Sequence, residues 1–162
     1  MSDSEAIQAR LPHHRSVLER NLQLLLRMAE GMDDAAADHA PVTGGSTLRW
    51  LLGHMLAYRD VMLRRLGAEP VWDESTAAAF VRGSQAADGP PLDDLIAALR
   101  TQGPRLSAAF DGADAVTLAE PSARASLGTL GAELEFGVWH DTYHVGQAVL
   151  YRRAAGLDSP IG

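Results

Sequence analysis

The run His140-Asp-Thr-Tyr-His144-Val-Gly-Gln147 places two imidazoles four residues apart. On an α-helix that spacing is slightly more than one turn, so both rings leave the same face and can grip one metal ion together. A third histidine, His54, sits in another strongly helical segment, Leu48-Arg-Trp-Leu-Leu-Gly-His54-Met-Leu. Where two such helices face each other, three neutral imidazoles converge and one coordination position stays open. That is the ligand count of a catalytic rather than a structural zinc-type site. A dication on three neutral ligands keeps its full charge, so it can lower the pKa of a water, polarise a carbonyl or bind a thiolate. Imidazoles do not choose the ion: zinc, nickel, iron and manganese all fit the donor set.

Two neighbours are candidates for orienting the outer ring nitrogens, Asp141 and Gln147. A partner of this kind sets the tautomer of a metal-ligating histidine. Gln147 lies about one turn beyond His144 and is also placed to reach a metal-bound water. Asp141 has a competing role in an interhelix or surface hydrogen bond. The alternative for the whole constellation is a set of core histidines with ordinary hydrogen-bond partners. Tyr58, Trp139, Tyr143 and Tyr151 either line a pocket beside the histidines or fill the core, as aromatics at helical spacing do. His13 and His14 are adjacent and point to different sides of a helix, and His39 lies in an Asp/Ala-rich loop; all three are read as surface residues.

The elements that must position these side chains are four long helices, expected over about 12–32, 46–66, 91–110 and 129–155. In the first, Leu18, Leu22, Leu25, Ala29 and Met32 recur at three- and four-residue steps, and Pro12 suits a first-turn position. In the second, Ser46 or Thr47 can cap the start. Leu48, Leu52, Met55, Met62 and Leu66 make its main stripe, with Leu51, His54, Tyr58 and Val61 beside it. His54 is therefore on a largely apolar face. Residues 67–90 form a long connection with a short helix near 74–81, long enough for a crossover rather than a tight hairpin. The third helix carries Leu92, Leu95, Ile96, Leu99 and Leu106, with a kink or break expected at Gly103-Pro104. Residues 111–128 read as loop. The fourth helix buries Leu130, Leu134, Val138, Asp141 and Val145, and Gly156 is placed to end it. The expectation is an all-α protein, one four-helix bundle with a long crossover connection, spanning 1–162 as a single domain.

Composition narrows the chemistry. The 162 residues contain no cysteine, so disulfides, thiolate ligands and a protein thiol nucleophile are excluded. Any metal is held by nitrogen and oxygen, and any thiol chemistry uses a thiol brought in by a small molecule. The formal charge is −7. The arginines are scattered, and Arg64-Arg65 and Arg152-Arg153 fall at predicted helix ends, where they complement the helix dipole rather than form a phosphate-binding stripe. Nucleic acid is not an expected partner. No run approaches the roughly 18 apolar residues that span a membrane. The N-terminal residues lack a basic start followed by an apolar stretch, so a cytoplasmic location is expected.

The two histidine segments together resemble the DinB superfamily of metal-dependent bundle proteins, which includes DinB-like and bacillithiol-transferase-like members. The resemblance lies in Leu51-Leu-Gly-His54 and in His140-Asp-Thr-Tyr-His144-Val-Gly-Gln147, in that order and separation. It extends over nearly the whole chain. It implies a four-helix bundle with an atypical connection order, a homodimer, and a three-histidine site carried by His54, His140 and His144. Characterised relatives transfer low-molecular-weight thiols or isomerise thiol adducts, and others have a presumed hydrolase or transferase role.

Three functions compete. In the first, the site is a divalent-metal-dependent S-transferase that presents a thiol of the bacillithiol or mycothiol type to a small electrophile. In the second, it is a metal-dependent hydrolase, for which Asp141 is the only nearby candidate base. In the third, the bundle is a non-catalytic stress or ligand-binding protein that the metal stabilises.

Overall fold

The computed structural model describes residues 2–81, 83–84 and 89–160. Four long helices carry the architecture: α1 (Asp3–Ala29), α3 (Leu48–Arg65), α5 (Leu92–Gly112) and α7 (Leu130–Ala154). Three short ones sit in the connections: α2 (Asp34–Ala37), α4 (Glu74–Ala78) and α6 (Ala115–Leu118). No strand occurs among the described residues, and one isolated bridge pairs Pro121 with Thr129. The protein is a four-helix bundle. Among the described residues, no helix is long and apolar enough to cross a membrane.

Local chemistry sets most helix starts. The side chains of Thr47, Asp73, Asp114 and Thr129 each accept a hydrogen bond from a backbone N–H in the first turn that follows. Thr47, rather than Ser46, caps α3. Ser2 and Glu5 form a reciprocal capping box, so α1 begins nine residues earlier than the proline signal suggests. Its extra turns bury Ile7 and Leu11. Pro12 therefore lies inside α1, not in its first turn. Proline removes the hydrogen bond to the carbonyl four residues back. Here Pro12 and Gln8 are both exposed, so water can take the freed carbonyl. Pro104 and Arg100 repeat the arrangement, and α5 runs unbroken through Gly103-Pro104. A side chain at Gly103 would run into Leu22, so the glycine lets α5 lie close on α1.

Each long helix packs on two others. α1 contacts α5 and α7, and α3 contacts the same two. Around the bundle the order is α1, α5, α3, α7, with α1 diagonal to α3 and α5 diagonal to α7. Segments 30–47 and 113–129 make the diagonal crossings. The long connection between α3 and α5 joins neighbours instead; its residues 82 and 85–88 lie outside the described residues. Segment 113–129 is less loop-like than expected, holding α6 and a 3-10 turn at Ala125–Leu127. Gly156, at φ +79°, follows the end of α7.

The core has two apolar layers. One gathers Leu25, Met28, Leu51, Leu52, Leu95 and Leu99; the other gathers Leu18, Leu63, Leu106, Phe110, Leu130 and Leu134. A buried polar knot links three helices. Arg59 of α3 donates to both carboxylate oxygens of Asp141 in α7, at 2.7 and 3.0 Å, and Asn21 of α1 donates to the same carboxylate at 2.9 Å. Arg59 and Asp141 are 1% and 2% exposed. Asp60 is also fully buried and accepts from the backbone N–H groups of Val71 and Trp72 and from Gln102. It pins the start of the α3–α5 connection to the bundle. Removing one partner of a buried ion pair leaves an uncompensated charge, so Asp141→Ala is expected to cost on the order of 3–5 kcal/mol in urea unfolding of the metal-free chain. The solvent-screened pairs of Arg15 with Asp111 and Glu19 give a control: Arg15→Ala should cost far less than Asp141→Ala. Equal, small losses from both variants would contradict this reading of the knot.

Candidate metal centre

His54 is placed by a glycine and a backbone carbonyl. A Cβ on Gly53 would overlap the ring of Phe80. With no Cβ there, Phe80 buries against α3 at 1% exposure. Its carbonyl oxygen then lies 2.7 Å from His54 Nδ1. A carbonyl only accepts, so the proton is on Nδ1 and the lone pair of the neutral ring is on Nε2. Trp50, one turn earlier, stacks on the imidazole at 4.8 Å and 7°.

On α7 the same logic recurs. His144 Nδ1 donates to Gln147 Oε1 at 2.7 Å, while the Gln147 amide nitrogen donates to the Tyr143 hydroxyl at 3.1 Å. His144 Nε2 is therefore also bare. His140 Nε2 stands 3.3 Å from His54 Nε2 and 3.0 Å from His144 Nε2. A proton on His140 Nε2 can serve only one of these contacts well, and with the proton on Nδ1 instead both contacts bring lone pairs together. A cation at the centre relieves both. Nitrogens about 2.0–2.1 Å from a tetrahedral zinc lie roughly 3.3 Å from one another, close to the observed separations. The residues present therefore fit a metal ion, with all three donor atoms within 4.8 Å of one another.

Protonation favours the same state. Burial, reinforced by the neighbouring His144 and His54, pushes the His140 imidazole down to about 4. Burial also lowers His144, against the opposing effect of the hydrogen bond it donates to Gln147. Near neutral pH both rings are in the uncharged form that binds metals. Burial raises the Tyr58 phenol above its ordinary range, so it stays a proton donor beside His140, ring centroids 4.2 Å apart.

The cluster opens into a cleft of about 810 Å³. Tyr58, Trp139 and Tyr143 line it, while Tyr151 does not: it is buried in the core with its hydroxyl on Ser46. Of the two residues expected to orient a ring, Gln147 holds His144, but Asp141 turns away to Arg59 and Asn21. The buried guanidinium is the stronger partner for that carboxylate. His13 and His39 are exposed, but His14 is half-buried and sits 3.1 Å from Glu135. Sequence reasoning missed three contributors. Gly53 stands next to His54, so its need for close approach was the one available signal. Phe80 acts through its backbone and carries none. Arg124, whose guanidinium lies over the rings of Tyr58 and Phe136 at 5.5 and 4.8 Å, is on a connecting segment with no periodic pattern.

Comparison with known proteins places the chain in context. A family model for the DinB superfamily matches residues 17–148, which contain all three histidines and Gln147. Among solved structures, YfiT from Bacillus subtilis, described as a probable metal-dependent hydrolase with an unusual four-helix bundle topology, is similar in fold. The alignment covers 98% of this chain and 91% of that one, at 21% identity and a TM-score of 0.68. A search of curated proteins gave no match.

The depressed His140 titration has a definite sign. Its unfolded value is near 6.5 and its folded value about 4, so between these pH values only the unfolded chain takes up the proton. The contribution of His140 to the folding stability of the metal-free chain is fully present above pH ~6.5 and is lost as pH falls toward 4. NMR titration of the His140 ring should show a midpoint near 4. A midpoint between 6 and 7 would contradict the buried, crowded environment described here.

Proposed function

The chain belongs to the DinB superfamily, and on that premise we propose that it is a metal-dependent enzyme acting on a small molecule, with one divalent transition ion held by His54, His140 and His144. The convergence of three imidazole Nε2 atoms carries the reading, because two of the rings have their protons fixed on the far nitrogen. An ion held there supplies Lewis acidity, which acidifies a thiol or water and polarises a carbonyl.

The chain's own residues do the rest. Phe80 and Gln147 hold the Nδ1 protons of His54 and His144 and so keep the inner lone pairs aimed together. Trp50, Tyr58, Phe136 and Trp139 wall the cleft and limit water around the reacting group. The Tyr58 hydroxyl, kept protonated, is placed to donate to developing negative charge.

The proposed reaction is transfer of an external low-molecular-weight thiol, of the bacillithiol or mycothiol type, to an electrophile. One structural observation favours it over hydrolysis. Asp141 is committed to Arg59, and among the described residues Glu74 is the only carboxylate lining the cleft. A thiol acidified by an ion needs no protein base for attack, whereas hydrolysis of an ester or amide ordinarily uses one. Hydrolysis is the second reading, supported by the description of YfiT. A homodimer is part of the proposal through family membership.

Elemental analysis of zinc-incubated protein should give one zinc per chain, lost in His54→Ala. Gln147→Ala should retain the ion with affinity roughly 10–100-fold weaker. Adduct formation from a small electrophile should require both the ion and added thiol. Turnover of an ester panel without thiol, abolished by chelation, would replace transferase with hydrolase. Zinc-dependent stability with no turnover in either screen would leave a binding protein.

A further inference from the structure

Arg124 enters the cleft from a segment with its own buried anchor. Its backbone N–H donates to the Ser122 hydroxyl at 2.9 Å. That hydroxyl donates to Glu133 Oε2 at 2.8 Å, and the same carboxylate oxygen accepts the N–H of Ala123 at 2.9 Å. Glu133 is 6% exposed, so the loop is tied to the body of α7 rather than resting on the surface. The Arg124 guanidinium lies over Tyr58 and Phe136, yet makes no hydrogen bond or ion pair among the described residues. Contact through the aromatic faces leaves its planar fork of N–H donors for another partner. The residue is solvent-exposed, so those donors are reachable from the open cleft.

The charge around it points the same way. Among the described residues, the cleft is lined by Arg124 and Arg64 against one carboxylate, Glu74, in a chain whose net charge is −7. A cationic concavity on an acidic protein attracts anions and turns them toward its positive wall. From Phe136, under Arg124, the aromatic wall continues along α7 to Trp139 and Tyr143, with successive ring centroids 5.3 and 5.8 Å apart and with Trp139 and Tyr143 59% and 53% exposed. Such rings offer a flat apolar body a stacking surface.

We propose that Arg124 is an anion anchor, and that the small molecule taken by this cleft joins a flat apolar body to a carboxylate. The carboxylate sits on the guanidinium fork, the body lies on the aromatic wall, and the reactive end points toward the three histidines. This deepens the metal-enzyme reading and rests on it only for the direction of the reactive end.

The test uses 3-phenylpropionate and its uncharged amide, followed by tryptophan fluorescence, since Trp50 and Trp139 line the cleft. Zinc-loaded and metal-free wild type, Arg124→Gln and Arg124→Lys are compared. The acid should bind wild type at least roughly tenfold more tightly than the amide, in both metal states. Arg124→Gln should remove that preference and leave amide binding unchanged, and Arg124→Lys should keep part of it. No saturable binding of the acid, equal binding of acid and amide, or a preference that survives in Arg124→Gln would overturn the anchor. Zinc content measured on the same samples separates the two claims. An Arg124-dependent preference in a chain that takes up no zinc defeats the metal reading alone, and normal zinc uptake without the preference defeats the anchor alone.

Discussion

The register between α3 and α7 depends on one buried pair, Arg59 with Asp141. Two parallel N–H···O bonds fix both distance and rotation, which apolar packing alone does not. Asp141 is the residue after His140, and Arg59 lies about a turn and a half beyond His54 on its own helix. Locking one pair therefore sets the other, and His54 meets His140 and His144 across the interface. Gly137 permits the approach, since a side chain there would strike Met62 and Tyr58. Buried ion pairs contribute little net stability compared with apolar packing, but a register that leaves either charge buried and unpaired is strongly penalised. A site that needs three nitrogens within a few tenths of an ångström has use for that discrimination.

A second constraint comes from outside the four long helices. Asp60 holds the backbone at Val71 and Trp72, and Trp72 stacks on Phe80 at 5.3 Å. Through this route the α3–α5 connection delivers the Phe80 carbonyl to His54. The candidate metal centre is thus built by three separate stretches of chain, and two of its three rings have their tautomers set by partners that are not titratable. Crowding bare imidazole nitrogens works against folding of the metal-free chain, and binding of an ion reverses that cost.

Much of this was legible in the sequence. Apolar recurrence at three- and four-residue steps located all four long helices, and the four-residue histidine spacing located the inward pair. The errors have physical causes. Pro12 and Pro104 read as boundaries because proline breaks a helix in general; both escape by freeing a carbonyl on an exposed face. Asp141 was recognisable as inward-facing, but periodicity along one helix does not reveal which partner waits on the next. Phe80 contributes a backbone atom that every residue type possesses. Arg124 acts from a segment whose path is set by a distant carboxylate, Glu133, through contacts that no periodicity encodes.

The central claim is that three Nε2 atoms, with His54 and His144 protonated on the opposite nitrogen, share one ion. Anomalous diffraction at the zinc edge from crystals of the zinc-loaded chain tests it directly. One strong peak about 2.1 Å from Nε2 of His54, His140 and His144 is the predicted result. A peak held by Nδ1 of any of the three, by Asp141 or Glu74, or by only the α7 pair would contradict it.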